Sequence, residues 1–273
     1  MMKKISALVV LIGLVAALAA GCGGQKATAP APAEKKSIKV GVTAGPHAEI
    51  METVKKVAAK DGLEIQIVEF SDYITPNVAL SQGDIDVNSY QHQPFLDNQI
   101  KDRKYEIVSI GKTVIFPMGF YSKKVKSAAE LKNGATVAIP NDPSNGGRAL
   151  LLLEKAQLIK LKPDVGIKAT VADIVENPKN IKIRELDAAQ IPRSLDDVDA
   201  AAINTNYAVP AGLVPTKDAI VLENADSPYA NVIAVRTKDK DNPVFQKLLK
   251  AYHTTEVKQW IEEKYKGTFV PTW

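Results

Sequence analysis

From residue 38 onward, apolar and polar positions follow two alternating periods. Short runs rich in β-branched residues predict strands at 38–44 (IKVGVTA), 63–70 (LEIQIVEF), 85–90 (IDVNSY), 105–110 (YEIVSI), 114–122 (VIFPMGFYS) and 135–139 (ATVAI). Later runs at 181–186, 200–203, 219–223 and 231–237 predict further strands. Between them, apolar residues recur at three and four positions, predicting helices at 47–60, 76–82, 94–102, after Arg148, near 171–175, around 192–198 and over 243–266. Ser127 and Glu130 have the spacing of a capping box that opens one more helix. Strands alternating with helices predict an α/β protein with mainly parallel strands.

The stretch 140–159 (PNDPSNGGRALLLLEKAQLI) changes character most sharply. A strand enters it, and Ala149, Leu152, Leu153 and Ala156 mark a buried helix leaving it. The intervening Asn141, Asp142, Pro143, Ser144, Asn145, Gly146 and Gly147 are turn formers, predicting a loop whose backbone N–H groups cup an anion. Arg148 then falls in the first helical turn, where a cation opposes the helix dipole and calls for a negative partner. That partner is either a ligand carboxylate, held bidentately, or an internal acid such as Asp142.

The first 21 residues carry Lys3 and Lys4, an apolar core from Ile5 to Ala20, and small residues before Cys22. The core is too short to span a bilayer and reads as an export signal, 1–21. The LAAGC sequence at 18–22 resembles a lipobox, so Cys22, the sole cysteine, is expected to be lipidated and an intrachain disulfide is excluded. Residues 22–37 then form a lipidated cysteine and flexible tether, rich in Gly, Ala, Pro and Lys. Net charge is +4, falling to +2 once Lys3 and Lys4 leave with the signal. Basic residues alternate with acids and only 6% of residues are aromatic, so no surface for stacking and neutralising nucleic acid is expected.

Two extended, proline-bearing stretches, 113–123 and 223–235, differ from their surroundings. If the chain crosses there between lobes, lobe I is 38–116 plus 225–273, and lobe II is 117–224. Two such lobes would face each other with the carboxyl ends of their strands, enclosing a cleft with Arg148 at its edge.

Other candidates cluster at strand ends. Tyr90 and His92 share a face if their strand continues, offering flat walls to a ligand side chain, or else belong to a turn with partly buried aromatics. Phe70 and Tyr73 follow another strand, as a third wall or as core aromatics. Asn206 follows the strand at 200–203 and Asn231 follows SPYA at 227–230, where an amide suits either a zwitterion or a helix cap. His47, His92 and His253 lack metal-ligand spacing, so no metal site is expected. There is no GxSxG, HExxH, CxxC or GK[ST] motif, and neither catalysis nor a cofactor is expected.

Six segments, VEFSDYITPN, GDIDVNSYQHQPFLDNQIKD, NDPSNGGRALLLL, VENPKNIKI, PRSLDDVDAAAINTNYA and SPYANVIAVR, resemble in sequence and order the methionine-binding lipoproteins of bacterial methionine ABC importers. The resemblance implies a two-lobed periplasmic-binding-protein-like fold, type II-like, with two crossover segments and a ligand cleft between the lobes. It implies capture of L-methionine without chemistry, delivery to an ABC permease with its ATPase subunits, and a lipid anchor on the extracytoplasmic face of the cell membrane. Arg148 would pair with the ligand carboxylate, Asn206 and Asn231 would hold its polar end, and Tyr73, Tyr90, His92 and Phe70 would flank the thioether. D-methionine, a methionine-containing dipeptide, another apolar amino acid or a sulfonate are the alternative ligands.

Overall fold

The computed structural model describes residues 36–273 apart from Ala225; Cys22, the export signal and nearly all of the tether lie outside the described residues. The chain opens with β1 (Ser37–Thr43), α1 (Pro46–Lys60), β2 (Glu64–Phe70), α2 (Thr75–Gln82), β3 (Val87–His92), α3 (Gln93–Arg103) and β4 (Ile107–Ile115). It then crosses to β5 (Gly119–Tyr121), β6 (Thr136–Pro140), α4 (Pro143–Lys155) and a ribbon of β7 (Lys160–Leu161) with β8 (Ile174–Glu176). There follow β9 (Lys182–Leu186), α5 (Ile191–Ser194), β10 (Ala200–Ile203), α6 (Thr205–Ala208), α7 (Pro215–Asp218) and β11 (Ala219–Leu222). The return passes through β12 (Ala230–Arg236), α8 (Pro243–Tyr252), α9 (Thr255–Tyr265) and β13 (Val270–Pro271).

Two sheets result, ordered β2-β1-β3-β12-β4-β13 and β9-β6-β10-β5-β11. Each starts with three parallel strands joined by helical crossovers. The expectation of mainly parallel strands fails beyond them. β12 and β5 enter their sheets directly from the other lobe and lie antiparallel to both neighbours, because a chain arriving by a short link needs no helical crossover.

Side-chain alternation along the central strands puts apolar groups on both faces of each sheet. Ile233 and Val235 of β12 join α1, α8 and α9 through Ile50, Val54, Leu248 and Ile261. Val232 and Ala234 meet Ala79, Leu80 and Leu96 of α2 and α3 on the opposite face. In the second sheet, Ala200 and Ala202 pack with Leu150, Leu152 and Leu153 of α4. Ala201 and Ile203 pack with Ile191, Leu195 and Ala208 on the other side. Burying each such Leu or Ile contributes about 1.5–3 kcal/mol, which fixes both sheets and therefore the strand ends that face each other.

Several elements differ from the pattern. The capping pair Ser127 and Glu130 does form, with Ser127 Oγ donating to Glu130 Oε1 at 3.0 Å, yet it closes only a 3-10 turn, Ala128–Glu130. The apolar period is not continued before Gly134, so nothing pays for further turns. Residues near 171–175 split into a 3-10 turn and β8. The C-terminal helix is two helices, because Thr254 starts a new one by accepting from Val257 N at 3.4 Å.

The segment 141–147 is the main correction. It is the start of α4, not a loop: Asp142 caps it by accepting from Asn145 N at 2.9 Å, with Pro143 at the first helical position. Gly146 and Gly147 do not have positive φ. They are needed for close approach, since a Cβ on Gly147 would lie 2.8 Å from Ile167 O and 3.0 Å from Ala169 O. Gly147→Ala is expected to lower stability by roughly 1–3 kcal/mol, read as a fall in the urea midpoint at unchanged m value; an unchanged midpoint sinks this account.

Candidate functional site

The carboxyl ends of β1, β3, β6 and β10 converge where the two sheets face each other, and a narrow, nearly closed cavity lies between them. The first sheet and its connections supply His47, Tyr73, Tyr90, Gln91, His92, Phe95, Phe116 and Asn231. The second supplies Asn145 and Arg148 from α4, and Asn204, Thr205 and Asn206 from the start of α6. A crevice at the strand ends, with aromatic rings and converging polar side chains, is a usual place for a small-molecule site.

The aromatic wall is held from behind. Tyr90 Oη donates to Tyr73 O at 2.9 Å, and the Tyr73 ring lies 4.9–6.1 Å from those of Tyr207, Phe95 and Tyr90. Tyr73 Oη donates to Asn206 Oδ1 at 2.5 Å, linking the two sheets' sides across the crevice. Burial pushes both phenols well above their ordinary pKa, so they remain donors. Beneath Gln91 a closed amide network joins Asn77, Asn88 and Gln91 at 2.7–2.9 Å, satisfying polar groups that would be costly if orphaned.

His92 caps α3: Phe95 N donates to its Nδ1 at 3.2 Å. The ring proton therefore sits on Nε2, which donates to Asn145 Oδ1 at 3.1 Å. Burial, and then the nearby Arg148 cation, pushes the imidazole down to about 3. Burial alone does the same to His47, also to about 3. Neither is a metal-ligating cluster, and among the described residues no group of three His, Cys, Asp or Glu could hold an ion.

Asn145 is the polar hinge pin of the second side. Its amide nitrogen donates to Asp142 Oδ2 at 2.9 Å, while its oxygen accepts from His92 and, at 2.7 Å, from Asn204 Nδ2. Asn204 sits at the cap position of α6 but makes no side-chain cap. Its Oδ1 is buried and, among the described residues, has no hydrogen-bond partner. Asn231 Nδ2 donates to Val114 O at 2.8 Å.

Arg148 is 4% exposed and does have an internal partner, Glu223 rather than Asp142. Nε donates to Glu223 Oε1 at 3.0 Å, and Nη2 donates to Glu223 Oε2 and, at 2.8 Å, to Phe116 O. The guanidinium carbon lies 4.3 Å over the Tyr229 ring. Among the described residues Nη1 makes no hydrogen bond, and the side chain still lines the cavity.

Arg148, Asn206, Asn231, Tyr73, Tyr90 and His92 are thus brought together at one cavity. Phe70 is not: it packs beside Val68 against the α2 and α3 cluster and borders a separate surface cleft with Asp72 and Tyr207. Sequence reasoning placed Asn145 only in an anion-cupping loop and missed Phe95 and Glu223. An acid at the end of β11, entering a crossover, was the only available signal for Glu223.

A sequence model of the NlpA lipoproteins matches residues 38–273. The chain is 50% identical over 274 residues to the D-methionine-binding lipoprotein MetQ of Salmonella typhimurium, covering 99% of this chain and 98% of that one. It is 48% identical to outer membrane lipoprotein 3 of Mannheimia haemolytica over 87% of this chain and 91% of the other. Among solved structures, a nutrient-binding protein from Burkholderia cenocepacia bound to methionine is 58% identical, with a TM-score of 0.84 over 86% of this chain and all of that one. An ABC transporter periplasmic substrate-binding protein from Coxiella burnetii is 53% identical, with a TM-score of 0.83 over 86% of this chain and all of that one. With the family model matching 38–273, the chain belongs to the NlpA lipoprotein family and has the two-lobed α/β fold of substrate-binding proteins.

Proposed function

We propose that this protein captures methionine between its lobes and delivers it to an ABC importer, performing no chemistry of its own. The observation that carries this reading is the pairing, in one cavity, of a guanidinium and an unpartnered amide oxygen on one side with aromatic rings on the other. A zwitterion with an apolar tail fits that division. Its carboxylate goes to Arg148, its ammonium to the Asn204 and Asn206 side, with Asn231 beside them, and its thioether lies among Tyr73, Tyr90, His92 and Phe95.

Neither end is sufficient. Burying a methionine side chain contributes about 1.5–3 kcal/mol, whereas a micromolar complex needs about 8, so lobe closure must bring both ends into contact together. In this reading lobe I is 38–116 plus 225–273 and lobe II is 117–224. Cys22 carries the lipid that keeps the protein on the extracytoplasmic face of the membrane, next to the permease and its ATPase subunits.

Calorimetry on residues 37–273 tests the ligand. L-methionine is expected to bind at micromolar affinity or tighter; D-methionine, named for the MetQ relatives, is the second arm. Heat from another apolar amino acid or a sulfonate, with none from either methionine, overturns the assignment.

A further inference from the structure

Glu223 occupies both Nε and Nη2 of Arg148 and accepts a third bond from Met118 N at 3.0 Å. The cation lining the cavity is therefore already neutralised. Two further acids act on the lining: Asp142, held by Asn145 and Ser144 at 2.7–2.9 Å, and Asp72, held by Ile74 and Thr75 beside Tyr73. Both cavity histidines stay neutral, because a proton on either would be buried beside Arg148 or among apolar rings. The protein's own charges around the cavity thus sum to neutral or negative, never positive.

We propose that Glu223 is a specificity-determining residue, excluding ligands that bring a carboxylate without a positive charge of their own. This rests on the methionine reading. A monoanion seated on Arg148 Nη1 would leave an excess negative charge in a buried space, with Glu223 on the far side of the same guanidinium. A zwitterion adds no net charge, and its ammonium gives the unpartnered Asn204 Oδ1 a donor. Arg148 then orients the carboxylate, and Glu223 makes that orientation conditional on the ammonium.

The test compares methionine with 2-hydroxy-4-(methylthio)butanoate, which keeps a hydrogen-bond donor at the same carbon but lacks the positive charge. The wild-type protein is expected to bind methionine at least 10-fold tighter. Glu223→Gln keeps an acceptor for Met118 N while removing the charge. It should shift the affinity ratio toward the hydroxy acid by roughly 10- to 100-fold, the effect of one unit charge about 6 Å away at an effective dielectric of about 20. Glu223→Asp, which retains the charge, should keep the wild-type preference.

Equal affinity of the wild-type protein for the two ligands overturns the charge rule alone and stands whether or not Glu223→Gln folds. An unchanged ratio in a Glu223→Gln protein that melts cooperatively also overturns it. No heat from methionine in the wild-type protein overturns the ligand reading and this inference together.

Discussion

Arg148→Ala is expected to abolish measurable methionine binding and to lower stability by about 3–5 kcal/mol, because it leaves the Glu223 carboxylate buried without its cation. The two effects are separable. Glu223 is only 15% exposed in its side chain, so the stability loss comes from stranding it, not from losing attraction as such. Replacing both partners with apolar groups, Arg148→Met with Glu223→Leu, is expected to recover most of the stability while binding stays absent. Urea titration and calorimetry on the three proteins read the two quantities independently. Retention of methionine affinity within 10-fold in Arg148→Ala removes the guanidinium from the site.

The second large effect is on acid stability. His47 and His92 are pushed from the ordinary value of about 6.5 down to about 3, so the folded protein resists protons that the unfolded chain accepts. Their contribution is complete above pH 6.5 and is lost as pH falls from there toward 3. At pH 4.5 each histidine costs roughly 2–3 kcal/mol of stability relative to pH 7. His92→Asn keeps an acceptor for Phe95 N, and His47→Gln keeps a polar group in place. Each is expected to flatten the slope of unfolding free energy against pH between 6.5 and 4.5. A variant slope equal to that of the wild-type protein rules out that histidine as its source.

The fold and site were legible to different depths, for physical reasons. Strand ends could be read because a β-branched run stopping at polar and aromatic residues is a local pattern; Tyr90 and His92 sit at such an end, and Asn206 and Arg148 sit in the helices that follow two others. Glu223 could not be read, because its pairing with Arg148 spans 75 residues and depends on two crossovers lying side by side. Gly146 and Gly147 misled because glycine marks either a positive φ or a tight contact, and only the backbone of Ile167 and Ala169 shows which. Phe70 misled through side-chain direction: being last in its strand does not settle which face it occupies, and its ring falls in with the helix-packed side.

The link after β4 has a mechanical meaning. Phe116 O accepts from Arg148 and Pro117 O accepts from Thr205 Oγ1, while Met118 and Glu223 bond to each other. Just upstream, Val114 O is held by Asn231, and Ile115 pairs with both Ala230 and Val270. The link's main-chain bonds therefore change sides between Ile115 and Phe116, while the Phe116 ring stays in the first core against His47 and Phe269. A change of lobe angle is therefore expected to load the Ile115–Phe116 linkage first, together with the return link that starts at Glu223.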